Sequence, residues 1–288
     1  MDYFASSWCS LPWSPWVPFT ATKDEFRQIP REPGLYRIKP VGKDFLMYIG
    51  ETRRTTHERL NELRHTLKRT DLMPWNDPHT AAPSLWAWKD AEGFEYECSV
   101  APLDASQGGR RGMESFLLYR YRQEHGESTL CNFGRFHPRY RKSTNRNENR
   151  RGGKLAEGHQ DNPAGGPSVP PLLVFGSPGN LDWMGLTWSG KKPLDGENIR
   201  TVPSQAGLYI LSEGASNEII YIGQSADCAK RLRNHAMKFL DEKNSMFSYY
   251  IPEKTLLPHN LREWENDLMG NYFEMYRKAP KYQFGNNQ

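Results

Sequence analysis

Two pairs of tyrosines recur at the same spacing along this 288-residue chain. A Gly-Leu-Tyr triplet at 34–36 is followed by Tyr-Ile-Gly at 48–50, and the same two triplets stand at 207–209 and 221–223. A phenol joins an apolar ring to a hydroxyl that donates, accepts or, where its pKa is lowered, gives up a proton. The repeated spacing therefore marks four candidates for proton transfer or substrate positioning, namely Tyr36, Tyr48, Tyr209 and Tyr221.

An arginine follows each tyrosine pair near the start of a predicted amphipathic helix. Apolar residues recur at helical spacing at 60, 63 and 67 and again at 232, 236, 239 and 240. Arg59 and Arg231 each immediately precede the first leucine of their stripe. A solvated surface arginine is the ordinary interpretation. Its recurrence favours a phosphate ligand, because the planar guanidinium presents a fork of donors to anionic oxygens.

The tyrosines themselves are predicted to lie on β-hairpins. Residues 34–38 and 45–49 have the composition of two short strands, with Pro40, Gly42 and Lys43 in the turn between them. Pairing of these strands brings the two phenols side by side at one face or edge of a small sheet. Packing of tyrosines in a core is the alternative for a single pair. Repetition at an offset of 173 residues (34 to 207) weakens that alternative and indicates a duplicated domain.

The two halves resemble the GIY-YIG nuclease family, which is named after this motif. The resemblance covers residues 25–134 and 195–288. It implies an α+β fold, with two tandem domains that each contain a short antiparallel or mixed sheet flanked by helices. It also implies cleavage of a DNA phosphodiester with a single divalent metal, Mg²⁺ or Mn²⁺.

Carried over to the first half, the resemblance assigns catalytic positions to Tyr36, Tyr48, Arg59 and Asn132 and a metal-binding position to Glu114. Two departures stand out. Arg59 lies nine residues after Gly50, where the family and the second half have eight. Leu63 stands where some members have a histidine, so His57 and His65 are the candidates for its supporting role.

In the second half the resemblance assigns catalytic positions to Tyr209, Tyr221, Arg231 and His235. Glu265 is the best candidate for the metal ligand, and Glu263 is a weaker one. The closing asparagine is not fixed, because Asn271, Asn286 and Asn287 all qualify.

The chemistry that the resemblance implies divides phosphodiester hydrolysis among these residue types. The first tyrosine of each pair is the candidate general base, provided that a nearby cation lowers its pKa or its proton is relayed. The second tyrosine orients the water or the scissile phosphate. The arginine stabilises charge in the transition state, and the glutamate holds Mg²⁺ through hard oxygen ligation.

Composition limits the class of protein. Charged residues make up 25% and hydrophobic residues 37%, as in ordinary soluble proteins. No apolar run approaches the roughly 20 residues of a membrane span, and the N-terminus lacks the pattern of a signal peptide. Four cysteines show neither disulfide nor metal-ligand spacing. These features predict a cytoplasmic protein without a membrane partner.

Positive charge is concentrated between the two halves. The net charge is +4, yet residues 135–154 carry eight lysines and arginines against one acid, Glu148. A solvated linker is the ordinary interpretation, but basic segments also bind phosphate backbones by releasing counterions. We predict DNA contact through Arg135, Arg139, Arg141, Lys142, Arg146, Arg150 and Arg151.

The predicted organisation has four parts. They are a Trp/Pro-rich strap over 1–24, a first domain over 25–134, a basic, Gly/Pro-rich flexible linker over 135–170 and a second domain over 171–288. The strap is predicted to cross a domain face. The first half also has an insertion after Arg59, in which Trp75 lies in a Pro/Asn/Asp-rich loop and is a candidate to stack on a base.

Three functions compete at this level. The first is a DNA endonuclease with two sites in one chain, of the restriction or phage-defence kind, for which a monomer suffices. The second is a single-site repair or mobile-element nickase whose second domain only binds DNA. The third is a non-catalytic sensor of modified or foreign DNA.

Overall fold

A computed structural model describes residues 3–68, 71–159, 162–238 and 244–285. Helices and antiparallel sheets are combined within it, which confirms the predicted α+β class. The four cysteines are free thiols. Within the described ranges, every helix is too short or too polar to cross a membrane.

The first domain is built around a four-stranded antiparallel sheet. Its elements are β1 (Val17–Pro18), α1 (Lys23–Phe26), β2 (Gly34–Pro40), β3 (Tyr48–Thr52), α2 (Thr56–Leu67), α3 (Ala82–Glu92), β4 (Tyr96–Pro102) and α4 (Gln107–His125). The strand order is β1-β4-β2-β3, so β3 with its Tyr-Ile-Gly triplet lies at an edge. In the β2–β3 register Tyr36 pairs with Gly50.

The second domain repeats this arrangement. Its elements are β7 (Lys192–Pro193), α5 (Gly196–Ile199), β8 (Gly207–Glu213), β9 (Ile219–Ser225), α6 (Cys228–Lys238), β10 (Ser245–Tyr250) and α7 (Pro258–Tyr276). The strand order β7-β10-β8-β9 matches that of the first sheet, and Tyr209 pairs with Gly223 as Tyr36 does with Gly50. Helix α3 has no counterpart among the described residues of this domain.

The repeat extends to the tryptophan strap. Trp8 and Trp13 correspond to Trp183 and Trp188 at an offset of 175 residues (8 to 183). In both copies the indole N–H of the second tryptophan donates to the main-chain carbonyl of the first at 3.0 Å. The predicted strap is confirmed, because Trp8 and Trp13 are buried against the first domain. Its stacking partner is the buried guanidinium of Arg37, 4.2 Å from the ring of Trp13.

Helices α4 and α7 pack antiparallel and join the two domains. With a helix offset of 151 residues (107 to 258), Phe116 corresponds to Asp267 and Arg122 to Phe273. Phe116 packs on Phe273, and Arg122 donates to Asp267 at 2.8 Å with both side chains fully buried. The two contacts are therefore related by an approximate two-fold axis. At its centre Tyr119 packs on Gly270, where a Cβ atom would overlap it.

The segment between the domains is more structured than predicted. Phe136 and Tyr140 are buried in the first domain's core, and residues 140–154 include a hairpin of β5 (Tyr140–Arg141) and β6 (Gly153–Lys154). Farther along, Val169 N–H donates to the carboxylate of Glu263 at 3.0 Å. The expectation of a flexible linker is wrong for these residues, because their aromatic side chains and main-chain groups are used in packing.

Candidate functional site

Each tyrosine pair lies directly over the glycine that follows it. The ring centroids are 5.9 Å apart for Tyr36 and Tyr48 and 6.0 Å apart for Tyr209 and Tyr221. A Cβ atom on Gly50 would stand 2.6 Å from both the Tyr36 hydroxyl and Cε1 of Tyr48. Glycine is therefore required here by the close approach of two phenols and not by an unusual backbone angle.

A buried histidine completes each pair. In the second domain His235, on α6, lies 2.9 Å from the Tyr209 hydroxyl through Nε2. In the first domain the equivalent place is taken by His79, whose Nε2 lies 3.3 Å from the Tyr36 hydroxyl. His79 comes from the insertion between α2 and α3, so the two histidines reach the same position from different elements.

The hydrogen bonds of His79 fix its tautomer. Its Nδ1 accepts from the Ala81 N–H at 3.3 Å, so the ring proton is on Nε2 and is donated to the Tyr36 oxygen. Burial keeps the pKa of His79 well below its usual value, with Arg59 adding to the effect. The pKa of His235 falls to about 4 for the same main reason. Both rings are therefore neutral near pH 7.

The arginine and the glutamate converge on the same phenols. Burial raises the pKa of Tyr36 to about 12, Arg59 opposes the rise, and Glu114 adds to it. Burial likewise raises the pKa of Tyr209, with Arg231 and Glu265 acting in the same opposed senses. The Arg59 guanidinium is held by the Pro78 carbonyl at 2.9 Å. A lowered tyrosine pKa, which the sequence analysis required of a general base, is thus absent from this metal-free state.

Glu114 and Glu265 stand at equivalent places on α4 and α7 (107 to 114 and 258 to 265). The backbone N–H of Gln224 donates to Glu265 at 3.1 Å, and that of Glu51, the matching residue after the motif, donates to Glu114. Burial raises the pKa of Glu114 to about 8, and the neighbouring Glu51 carboxylate raises it further. Burial raises the pKa of Glu265 to about 7, where Arg262 and Arg231 oppose it.

These groups suit a hard cation that keeps part of its water shell. Oxygen Oε2 of Glu51 is buried without a hydrogen-bond partner, so the first site offers two neighbouring carboxylates. The second site offers Glu265 and the neutral Gln224. Within the described residues no three histidine, cysteine or acidic side chains form a metal cluster. Mg²⁺ commonly uses only one or two protein carboxylates together with substrate phosphate, so both donor sets fit it.

Asn132 braces the motif strand instead of facing the phenols. Its amide donates to the Ile49 carbonyl at 2.9 Å and accepts from the Ile49 N–H at 3.0 Å. In the second domain Gln283 makes the same two bonds with Ile222, both at 2.9 Å. The expected closing asparagine of the second half is therefore a glutamine. Its offset from Asn132 is 151 residues, the same as that of the glutamates.

Several sequence candidates lie outside the sites. His57 and His65 line a separate groove beside Phe26, so the expectation that one of them supports Tyr36 is wrong. Glu263 is buried in the domain interface near Arg122, and Asn271 accepts from the Trp183 indole at 2.8 Å there. Asn286 and Asn287 lie outside the described residues.

The basic candidates divide into exposed and committed side chains. Arg139, Arg141, Arg146, Arg150 and Arg151 are exposed. Arg135 is buried and donates to the Ser128 carbonyl at 2.7 Å, which removes it from the predicted DNA surface. Lys142 is half-buried, and burial lowers its pKa.

Comparison of the chain with protein-family models and with curated protein sequences found no match. The functional argument consequently depends on the residues and their geometry.

Proposed function

We propose that this protein is a metal-dependent DNA endonuclease with two GIY-YIG sites in one chain. The observation that carries the proposal is the convergence, in both halves, of two phenols, a neutral histidine, an arginine and a buried carboxylate. Hydrolysis of a phosphodiester needs proton transfer from water, neutralisation of phosphoryl charge and help for the leaving oxygen. No one of these residue types supplies all three.

The chain's own residues have distinct parts in this chemistry. His79 donates to the Tyr36 oxygen and Arg59 lies beside it, so both favour the phenolate, which burial opposes. Bound at Glu114 or Glu265, a cation such as Mg²⁺ or Mn²⁺ supplies the positive charge that lowers a buried phenol's pKa and polarises the phosphate. Tyr48 orients the water or phosphate next to Tyr36. Asn132 positions the motif strand through Ile49.

Two sites in one chain suit cleavage of both strands of a duplex. The strands of DNA are related by local two-fold axes, and the contacts between α4 and α7 follow an approximate two-fold axis. The buried Arg122–Asp267 ion pair holds the two domains in one arrangement. Cleavage of both strands is the outcome that restriction or other phage defence requires, so we propose that role, with DNA as the partner and a monomer as the active form.

A single-site nickase is the second candidate, favoured by the difference between Glu51 and Gln224. The second site has one carboxylate fewer and a glutamine in place of Asn132. If that site only holds DNA, the enzyme cuts a single strand.

The test is incubation of purified full-length protein with supercoiled plasmid, with and without Mg²⁺. The proposal predicts metal-dependent conversion to linear DNA, whereas the second candidate predicts nicked circles. Retention of plasmid without any metal-dependent cut, in Mg²⁺ or Mn²⁺, would contradict both and favour the sensor.

A further inference from the structure

A groove of about 450 Å³ lies beside the first site, between the insertion and the basic hairpin. Its walls mix aromatic, apolar and charged side chains, among them Lys68, Asp71, Leu72, Trp75, Arg146 and Arg151. A volume of this size falls in the range of small-ligand sites, roughly 300 to 1,000 Å³.

The two walls are fixed to each other. Arg151 donates to the Met73 carbonyl at 2.7 Å, and its guanidinium carbon lies 4.2 Å from the ring centroid of Trp75. The backbone N–H of Arg146 donates to Asp77 at 2.6 Å. The hairpin and the insertion thus form one structure, and the stacked indole and guanidinium are held in place.

The groove leads directly to the reacting groups. Pro78 lines it, and the carbonyl of Pro78 accepts from Arg59. The next residue, His79, donates to the Tyr36 oxygen. A ligand in the groove is therefore one residue away from the groups proposed to act on the phosphate.

We propose that this groove binds one unstacked nucleotide of the DNA strand that occupies the first site. Bases stack on tryptophan and on guanidinium planes. Lys68 and Arg146 supply positive charge for the flanking phosphates, and the carboxylates of Asp71 and Asp77 can accept hydrogen bonds from the amino groups of a base. The mixed charge of the lining favours a nucleotide over a bare phosphate backbone. This inference rests on the proposed function and specifies its substrate, namely DNA with a base out of the helical stack.

The second domain has no equivalent of the insertion. Between α2 and β4 there are 28 residues (68–95), whereas α6 ends at Lys238 and β10 begins at Ser245. The two sites therefore differ in substrate, since only the first has this groove beside it.

The experiment measures binding without cleavage, in EDTA, so that its result is separate from the nuclease test. Wild-type protein is titrated with a short single-stranded oligodeoxynucleotide and with the same strand carrying abasic positions. We expect quenching of tryptophan fluorescence by the intact strand, and abasic substitution should weaken binding about 5- to 150-fold, the range for one base on an aromatic side chain.

Protein variants provide the second arm. Trp75→Ala should remove the preference for the intact strand, and Trp75→Phe should retain most of it. Phe175→Ala, an exposed aromatic in the second domain, is the matched control and should bind as wild type does. Equal affinity of wild-type protein for the intact and abasic strands would overturn the inference even if the plasmid is cut. So would unchanged discrimination by a folded Trp75→Ala variant.

Discussion

Glu114 and Glu265 occupy the same position on two helices that pack against each other across an approximate two-fold axis. Each carboxylate turns away from the partner helix toward its own tyrosine pair, as the interactions of Glu114 with Tyr36 and of Glu265 with Tyr209 show. The helices that join the domains therefore also deliver the proposed metal ligands, so the spacing of the two sites is set by the interface.

Loss of the His79 hydrogen bond should impair the first site. Replacing His79 with Phe removes the donor to Tyr36, and we expect a loss of roughly 10- to 100-fold in the rate of the first-site cut, typical of removing a group that orients a reacting residue. The measurement is the rate of nicking in a Glu265→Gln background. The His57→Ala control should cut normally, because His57 lies in a separate groove. Equal rates for His79→Phe and wild type would remove His79 from the site.

A methyl group on Gly50 should disrupt the first tyrosine pair. Gly50→Ala places Cβ 2.6 Å from the Tyr36 hydroxyl, so the phenols must move. We expect a destabilisation of about 1 to 3 kcal/mol, as for other overpacked sites, together with loss of the first-site cut. Gly108→Ala on α4 is the control, since its nearest atom is 3.9 Å away, and it should not lower the free energy of unfolding. Both are measured by urea denaturation.

The pH dependence follows from the raised pKa of Glu114. Its pKa is about 8 in the folded protein against a usual value of 4.5, so the folded state binds more protons between these values. The free energy of unfolding should therefore fall as pH rises from about 4.5 to 8. Glu114→Gln should remove part of this fall and stabilise the metal-free protein above pH 8 by at least about 1 kcal/mol.

Glu51→Gln separates the causes of that shift. Because the Glu51 carboxylate contributes to the raised pKa of Glu114, its removal should lower that pKa toward the value near 7 of Glu265. Carbon-13 NMR of the glutamate side chains reports both titrations. An unaltered Glu114 titration in Glu51→Gln would show that the two carboxylates do not interact.

The exposed basic residues should control the salt dependence of DNA binding. Replacing four of them together with alanine should reduce the slope of log affinity against log salt by up to about 3.6, at 0.9 per phosphate contact on B-DNA. The four are Arg139, Arg141, Arg146 and Arg150. An equal change of charge elsewhere on the surface should leave the slope close to that of wild type, with Lys23, Arg27, Arg200 and Lys254 as the control set. A slope equally altered in both sets would argue against a localised interface.

Local sequence patterns predicted the elements that carry the tyrosines, the arginines and the glutamates. The hairpins have turn residues and alternating strands, and α2 has leucines at helical spacing, so short-range physics specifies them. His79 was missed because it joins Tyr36 only when the insertion folds back, although it is the one histidine between residues 66 and 124. Its neighbour Pro78 and the adjacent Asn/Asp residues gave only a turn signal.

Other misses have the same long-range origin. Gln283 was not expected, because the search was for asparagine, whereas the edge strand needs any amide that reaches Ile222. The second tryptophan strap was hidden by its different offset. Phe136 and Tyr140 stand among arginines, so net charge concealed that the first domain's core extends through them.

The most direct test of the two-site account compares the plasmid products of Glu114→Gln and Glu265→Gln with those of wild type. With Mg²⁺, wild-type protein should linearise the plasmid, and each single variant should stop at nicked circles, because one cut is slowed by roughly 100-fold or more. The double variant should leave the plasmid supercoiled while still binding it. Linearisation by either single variant at the wild-type rate would contradict the assignment of one active centre to each glutamate.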